Sequence, residues 1–220
     1  MNYTIEELTN IEIEDIAIST QALVCLCLDT SYSMRMNGKI DALNKCVRDF
    51  ITTSTNDIYK SNMINLCIVT FGGIQAKVIQ NFERIDRIHF EDFIANGGTA
   101  MANGVSLALD EIEKEKAKWK ERGLRTYKPI LIIMSDGKSD DDLSKVVERE
   151  NKMIATNKID AYCVGIGIEN DISAKKDLAK FCPKRKIETT DEFGINDFFE
   201  RLSRSMSNLS KSFAGEVKGL

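Results

Sequence analysis

From residue 22 onward, short apolar runs alternate with amphipathic stretches, and that rhythm narrows the fold more than any other property of the chain. A short apolar run bounded by polar residues marks a fully buried strand. Candidate strands are 22–28, Ile64–Phe71, Lys77–Gln80, Pro129–Met134, Ala161–Ile168 and Lys186–Thr189. Candidate helices are Lys39–Asn56, Ala102–Arg122, Asp142–Asn157, Ala174–Phe181 and Ile195–Ser212. In the second of these Val105, Leu109, Ile112 and Trp119 share a face, while Glu113–Lys116 and Glu115–Lys118 offer opposite charges at i+3. Strands alternating with helices imply right-handed crossovers. The expectation is therefore an α/β domain, doubly wound, with a mostly parallel central sheet and helices on both faces. Ile64–Gln80 breaks the rhythm: two strands joined through Gly72-Gly73 read as a hairpin that adds one antiparallel edge strand.

A chain of 220 residues suffices for one such domain. It is expected over 20–213, with 1–19 as a lead-in packed on it and 214–220 as a tail. Lys plus Arg minus Asp plus Glu is 30 − 34 = −4. That mild acidity argues against a dedicated nucleic-acid binder, which needs a basic footprint. The start, Met1-Asn2-Tyr3-Thr4-Ile5-Glu6-Glu7, lacks the basic and apolar regions of a signal peptide. No apolar stretch approaches the ~20 residues that span a bilayer. The expected location is the cytoplasm, without membrane contact. Cys25, Cys27, Cys46, Cys67, Cys163 and Cys182 are scattered, and no second pair stands at zinc-site spacing, so they read as buried reduced thiols.

The chemistry gathers where strands end. The first apolar run stops at Asp29-Thr30-Ser31-Tyr32-Ser33, which sets a carboxylate and two hydroxyls at alternate positions. Hard oxygen donors in one loop suit a small hard cation such as Mg2+. Two further loops fall at the same predicted sheet edge, where open parallel sheets bind their ligands. One is Asn96-Gly97-Gly98-Thr99-Ala100-Met101, whose glycines allow close backbone approach and present the Thr99 hydroxyl; the other is Met134-Ser135-Asp136-Gly137. Taken singly, Thr99 reads equally as a helix N-cap and Asp136 as a turn former. Three such loops in this order, each abutting the proper element, favour the joint reading.

With these three loops the chain resembles the von Willebrand factor A family over about residues 20–212, and the loops resemble its metal-ion-dependent adhesion site. The resemblance implies Asp29, Ser31, Ser33, Thr99 and Asp136 as ligands of Mg2+ or Mn2+, some direct and some through water. It implies a protein partner whose Asp or Glu completes the coordination sphere, met by a rim of Tyr32, Gly98 and Gly137. The function implied is metal-dependent protein–protein recognition, not catalysis. Many relatives carry glycine where this chain has Tyr32, which adds an aromatic wall to the rim. The layout and the stretch Asp197-Phe198-Phe199-Glu200-Arg201-Leu202-Ser203 are similar to an intracellular bacterial branch tied to tellurite resistance and stress response. That likeness implies a kinase or phosphatase of the same system as partner.

Rival readings carry less. A metal-dependent phosphatase or hydrolase of the Asp-loop type is the alternative function. The haloacid dehalogenase pattern wants a second Asp two residues after the first, and Ser31 stands there. His89, the only histidine, reads as a surface or partly packed residue rather than a base. Gly165-Ile166-Gly167 lacks the third glycine of a dinucleotide fingerprint and reads as a turn. The basic stretches Lys180–Lys186 and Lys114–Arg125 read as solvated faces. Asp140-Asp141-Asp142 reads as a cap on the helix that follows, or as a widening of the negative field near Asp136.

Overall fold

The computed structural model describes residues 20–183, 185–190 and 197–205. The expected lead-in 1–19 and tail 214–220 lie outside these residues, as do 195–196 and 206–212 of the last expected helix. In chain order the elements are β1 (Thr20–Asp29), a 3-10 segment (Tyr32–Gly38), α1 (Lys39–Thr55), α2 (Ile58–Met63), β2 (Ile64–Phe71) and β3 (Lys77–Arg84). After a 3-10 turn (Ile85–Arg87) come α3 (Met101–Glu121), β4 (Arg125–Thr126), β5 (Ile130–Ser135) and α4 (Ser144–Ala155). Then follow β6 (Asp160–Ile166), α5 (Ile172–Ala179) and β7 (Glu188–Thr190), with α6 over 197–205.

The sheet runs β3-β2-β1-β5-β6-β7, with β4 beside the start of β1. Every pairing is parallel except β2 with β3. The antiparallel edge strand is longer than expected and ends at Arg84 rather than Gln80. It alternates exposed and half-buried residues and contains register shifts opposite Leu66–Val69, so its apolar period is diluted by Gln80, Asn81 and Glu83. Ala161–Ile168 shortens to end at Ile166, because Gly167 turns the chain with φ 67°.

Side-chain alternation along the strands builds two cores. Ala22, Val24, Leu26 and Leu28 of β1 face one side, with Leu43, Val47 and Phe50 of α1 and Phe198, Phe199 and Leu202 of α6. Cys25 and Cys27 face the other, with Val105, Ala108, Leu109 and Ile112 of α3, Val146 and Met153 of α4 and Leu178 of α5. The doubly wound, two-faced α/β expectation holds. All six cysteines are buried and free.

The packing of α3 on β2 admits no methyl to spare. A Cβ added at Gly104 would lie 2.6–2.9 Å from Phe71 side-chain atoms. Helix propensity alone favours Ala over Gly by about 1 kcal/mol, but overpacking a filled core costs about 1–3 kcal/mol. Gly104→Ala is therefore expected to lower stability in urea unfolding despite the better helix former. A gain would show that α3 is free to lift from the sheet.

Candidate metal centre

β1 and β5 are neighbours, with Leu28 opposite Met134. The chain leaves β1 for β2 on one side and reaches β5 on the other, so Asp29 and Asp136 emerge at the point where strand order reverses. Ligands of open α/β sheets gather at such a crevice. Asp29 is the last residue of β1 and is wholly buried. Its Oδ1 accepts the Ser31 backbone N–H at 2.8 Å, and its Oδ2 accepts the Ser135 hydroxyl. Ser31 Oγ and Ser33 Oγ are hydrogen-bonded at 3.0 Å, and Ser33 Oγ donates to Asp136 Oδ1 at 2.6 Å. The other Asp136 oxygen accepts from Lys39 Nζ at 2.8 Å. Four of the five expected donors, Asp29, Ser31, Ser33 and Asp136, thus form one chain of contacts.

Thr99 reaches the same edge by a different route. The Thr30 carbonyl accepts from Asn96 N–H (2.7 Å), and the Gly97 carbonyl accepts from Tyr32 N–H (2.9 Å). These bonds stitch the second loop to the first. Thr99 is buried, but its hydroxyl takes no part in the chain of contacts that joins the other four residues. Nor does Thr99 cap α3: the residue before that helix is Ala100, and no side chain of its own caps it.

The acid run supplies what is missing there. Only Asp142 serves the helix that follows, accepting the Ser144 backbone N–H at 3.0 Å and its hydroxyl at 2.7 Å. Asp140 and Asp141 turn instead to the start of α3. Asp140 Oδ2 accepts Thr99 N–H at 2.7 Å, and Asp141 accepts Ala102 N–H at 3.0 Å and Asn103 N–H at 3.2 Å. Exposed helix N–H groups and the dipole favour acids at that end. The expected cap on the next helix is thus corrected for two of the three acids: they clamp the second loop to the third. The close fit leaves no room for a side chain at Gly98, whose added Cβ would sit 2.6 Å from Asp140 Oδ2.

Burial pushes the Asp29 carboxyl up to about 6, against the hydroxyls of Ser135 and Ser31 and the Ser31 N–H, which stabilise its charge; the negative charge of Asp136 raises it further. Two carboxylates held together out of water call for a cation. The donor set is all oxygen, and an ammonium already lies against it. The residues therefore fit a small hard divalent ion, with Asp29, Ser31, Ser33 and Asp136 as the groups that would hold it and Thr99 on the adjoining loop.

The loops around these residues expose large apolar side chains among polar ones. Tyr32 and Met36 of the first loop, Ile74 after β2 and Ile94 before Asn96 are all exposed, Ile74 almost completely. Ile172, at the start of α5, is exposed at the same edge. Of the expected rim, Tyr32 carries the Arg35 guanidinium 5.2 Å over its ring, and Gly137 faces open space. His89 is exposed, as a surface residue should be. Lysines of the basic stretches pair with acids, Lys114 with Glu111, Lys118 with Glu115 and Lys180 with Asp177, which fits solvated faces.

Comparison with known proteins settles the family. The von Willebrand factor type A domain description matches residues 24–201. The chain belongs to that family. Among solved structures it is similar to the pilus adhesin SpaC of Lactobacillus rhamnosus GG in its open conformation. That match has a TM-score of 0.67 at 11% identity, over 88% of this chain and 30% of that one. It is also similar to the vWF domain of the type V pili tip protein Mfa5 from Porphyromonas gingivalis, with TM-score 0.66 and 8% identity over 86% and 96%. Manganese-loaded TRAP protein of Plasmodium vivax superposes with TM-score 0.54 at 18% identity, over 82% and 72%. A curated relative, the collagen alpha-1(XXI) chain of Xenopus laevis, is 29% identical over 102 residues, which are 46% of this chain and 9% of that collagen. These structural likenesses establish the fold, and the site rests on this chain's own residues. Among the described residues no helix is long and apolar enough to cross a membrane.

Proposed function

We propose that this domain binds Mg2+ or Mn2+ through Asp29, Ser31, Ser33, Thr99 and Asp136 and uses the bound ion to recognise an acidic side chain of a protein partner. The observation that carries the proposal is a buried, hydroxyl-lined pair of carboxylates at the sheet edge, on loops that also expose Tyr32, Met36, Ile74 and Ile94. A small polar substrate needs no exposed apolar side chains beside its site, whereas exposed apolar surface marks association sites. The manganese in the Plasmodium vivax structure supports a divalent ion in this fold. When bound, the ion supplies a positive centre with room for a partner's carboxylate.

Catalysis is not part of the proposal. Ser31 stands where an Asp-loop phosphatase needs its acid, and the hydrogen bonds of Asp29 go to Ser31 and Ser135, neither an acid nor a histidine. The cytoplasm is proposed on six buried free thiols, which suit a reducing compartment. The tellurite-resistance or stress setting, with a kinase or phosphatase as partner, is proposed on the likeness of 197–203 to that branch.

Thermal unfolding with Mg2+, with Mn2+ and with EDTA tests the reading on the natural chain and on Asp29→Ala. An ion at ~100 times its dissociation constant stabilises by about 2.7 kcal/mol. In a domain of this size that raises Tm by roughly 5–10 °C. The rise is expected in the natural chain and absent from Asp29→Ala. No rise in either protein would remove the metal from the account.

A further inference from the structure

Lys39 opens α1, where its charge is of the wrong sign. Cations at a helix N-terminus oppose the macrodipole, and acids are favoured there. A local choice that works against its own helix points to a need elsewhere. The side chain crosses to β5 and places Nζ 2.8 Å from Asp136 Oδ2, with 12% of the lysine side chain and none of the aspartate side chain exposed. Ser33 holds the other oxygen of the same carboxylate. The loop after β6 makes room for the crossing. A Cβ added at Gly167 would lie 3.1 Å from Lys39 Cε and 3.4 Å from Nζ, and this glycine has φ 67°. Of the expected Gly165-Ile166-Gly167 turn, Gly165 and Ile166 are paired residues of β6 and only Gly167 turns the chain, where its lack of a side chain also leaves space for Lys39.

We propose that Lys39 is a tethered counter-ion that competes with the divalent metal for Asp136 and so sets the metal concentration at which the site loads. The inference rests on the metal-binding reading given above. Each oxygen of Asp136 already accepts one donor, Ser33 or Lys39, so an ion that approaches this carboxylate does so against the charge of the Lys39 ammonium beside it. The formal charges give the rest. Asp29, Asp136 and Lys39 sum to −1, still attractive to a divalent ion but less so than the −2 of the carboxylates alone. Once loaded, the site carries +1 rather than zero, and a partner's carboxylate brings it to neutrality. Lys39 thus trades metal affinity for a stronger demand for an acidic partner.

The test compares Lys39→Met and Lys39→Arg with the natural chain, using Mn2+ alone as probe. Affinity is read by calorimetry and by the Mn2+ electron paramagnetic resonance signal. Unfolding in EDTA is read alongside. Lys39→Met is expected to melt lower in EDTA, because Asp136 loses its partner, yet to bind Mn2+ about tenfold more tightly or better. Lys39→Arg is expected to restore both values towards those of the natural chain. A purely structural lysine would lower the melting temperature and leave Mn2+ affinity unchanged, which would overturn the proposal. If Lys39→Met proves unfolded in EDTA, Lys39→Gln gives the same comparison. Failure of the natural chain to bind Mn2+ would instead sink the metal-binding reading itself, so the two failures are distinct.

Discussion

Stability is expected to fall with a slope of about 1.4 kcal/mol per pH unit between about pH 7 and about pH 7.5, and one side chain, Glu150, is the main source. Glu150 lies on α4 with no exposed surface, and neither carboxyl oxygen has a hydrogen-bond partner. Burial pushes its carboxyl from 4.5 up to about 9, and the neighbouring Cys182 adds to the rise. The sign follows from proton counting. In this window the unfolded chain has released the Glu150 proton and the folded chain retains it, so rising pH favours unfolding. The benefit of the neutral acid is complete below its ordinary range and lost as pH climbs towards about 9. The window is bounded on both sides: below it Asp29, raised to about 6, is still titrating, and above it the thiols of the unfolded chain begin to ionise while burial keeps Cys27 and Cys163 protonated, which steepens the fall. Urea unfolding in EDTA at several pH values should show the slope, and Glu150→Gln should flatten it, since an amide keeps the shape without the proton. A natural chain with flat stability across the window would mean that Glu150 ionises in place, which its surroundings give it no means to do.

Glu150 also marks the boundary of what could be read from the chain itself. In the pattern of Asp142–Asn157 it looks like any helix-surface acid. Its burial arises only when α4 is rotated to set Val146 and Met153 against the sheet. The strands β1, β2 and β5 were legible because each is buried on both sides and so is apolar almost throughout. The far half of β3 was not, because an edge strand open to water tolerates Gln80, Asn81 and Glu83. At the metal centre the same division holds. Asp29, Ser31, Ser33 and Asp136 could be named because their spacing along two loops carries the chemistry. Lys39, Ser135, Asp140 and Asp141 act through contacts between residues some 40 to 106 positions apart. Charge at a helix start with the wrong sign was the one local signal for Lys39. The acid run gave no signal for its true partner, since two helix N-termini lay within its reach and the nearer one drew the reading.

Gly97→Ala is expected to abolish the metal-dependent rise in melting temperature and to destabilise the metal-free domain by roughly 2–4 kcal/mol. Gly97 has φ 68°, where a Cβ strains the backbone, and its added Cβ would lie 2.1 Å from Gly73 Cα and 2.4 Å from Gly73 N. Neither backbone can yield freely. Gly73 N–H donates to the Asn96 carbonyl at 2.6 Å, and the Gly97 carbonyl accepts from Tyr32 at 2.9 Å. Pushing the two segments apart therefore pulls on the loop that carries Ser31 and Ser33, and on Thr99 two residues further along. The effect on the metal and the effect on stability share that cause. Gly137→Ala separates chemistry from crowding. Gly137 also adjoins a ligand, yet its Cβ would meet nothing within 4 Å. That variant should stay within about 0.5 kcal/mol of the natural chain and keep its metal response. If Gly97→Ala lost stability but kept the full response to Mn2+, the second loop would be shown to support the sheet edge without shaping the metal centre. Thr99 would then leave the ligand set, and Asp29, Ser31, Ser33 and Asp136 would remain.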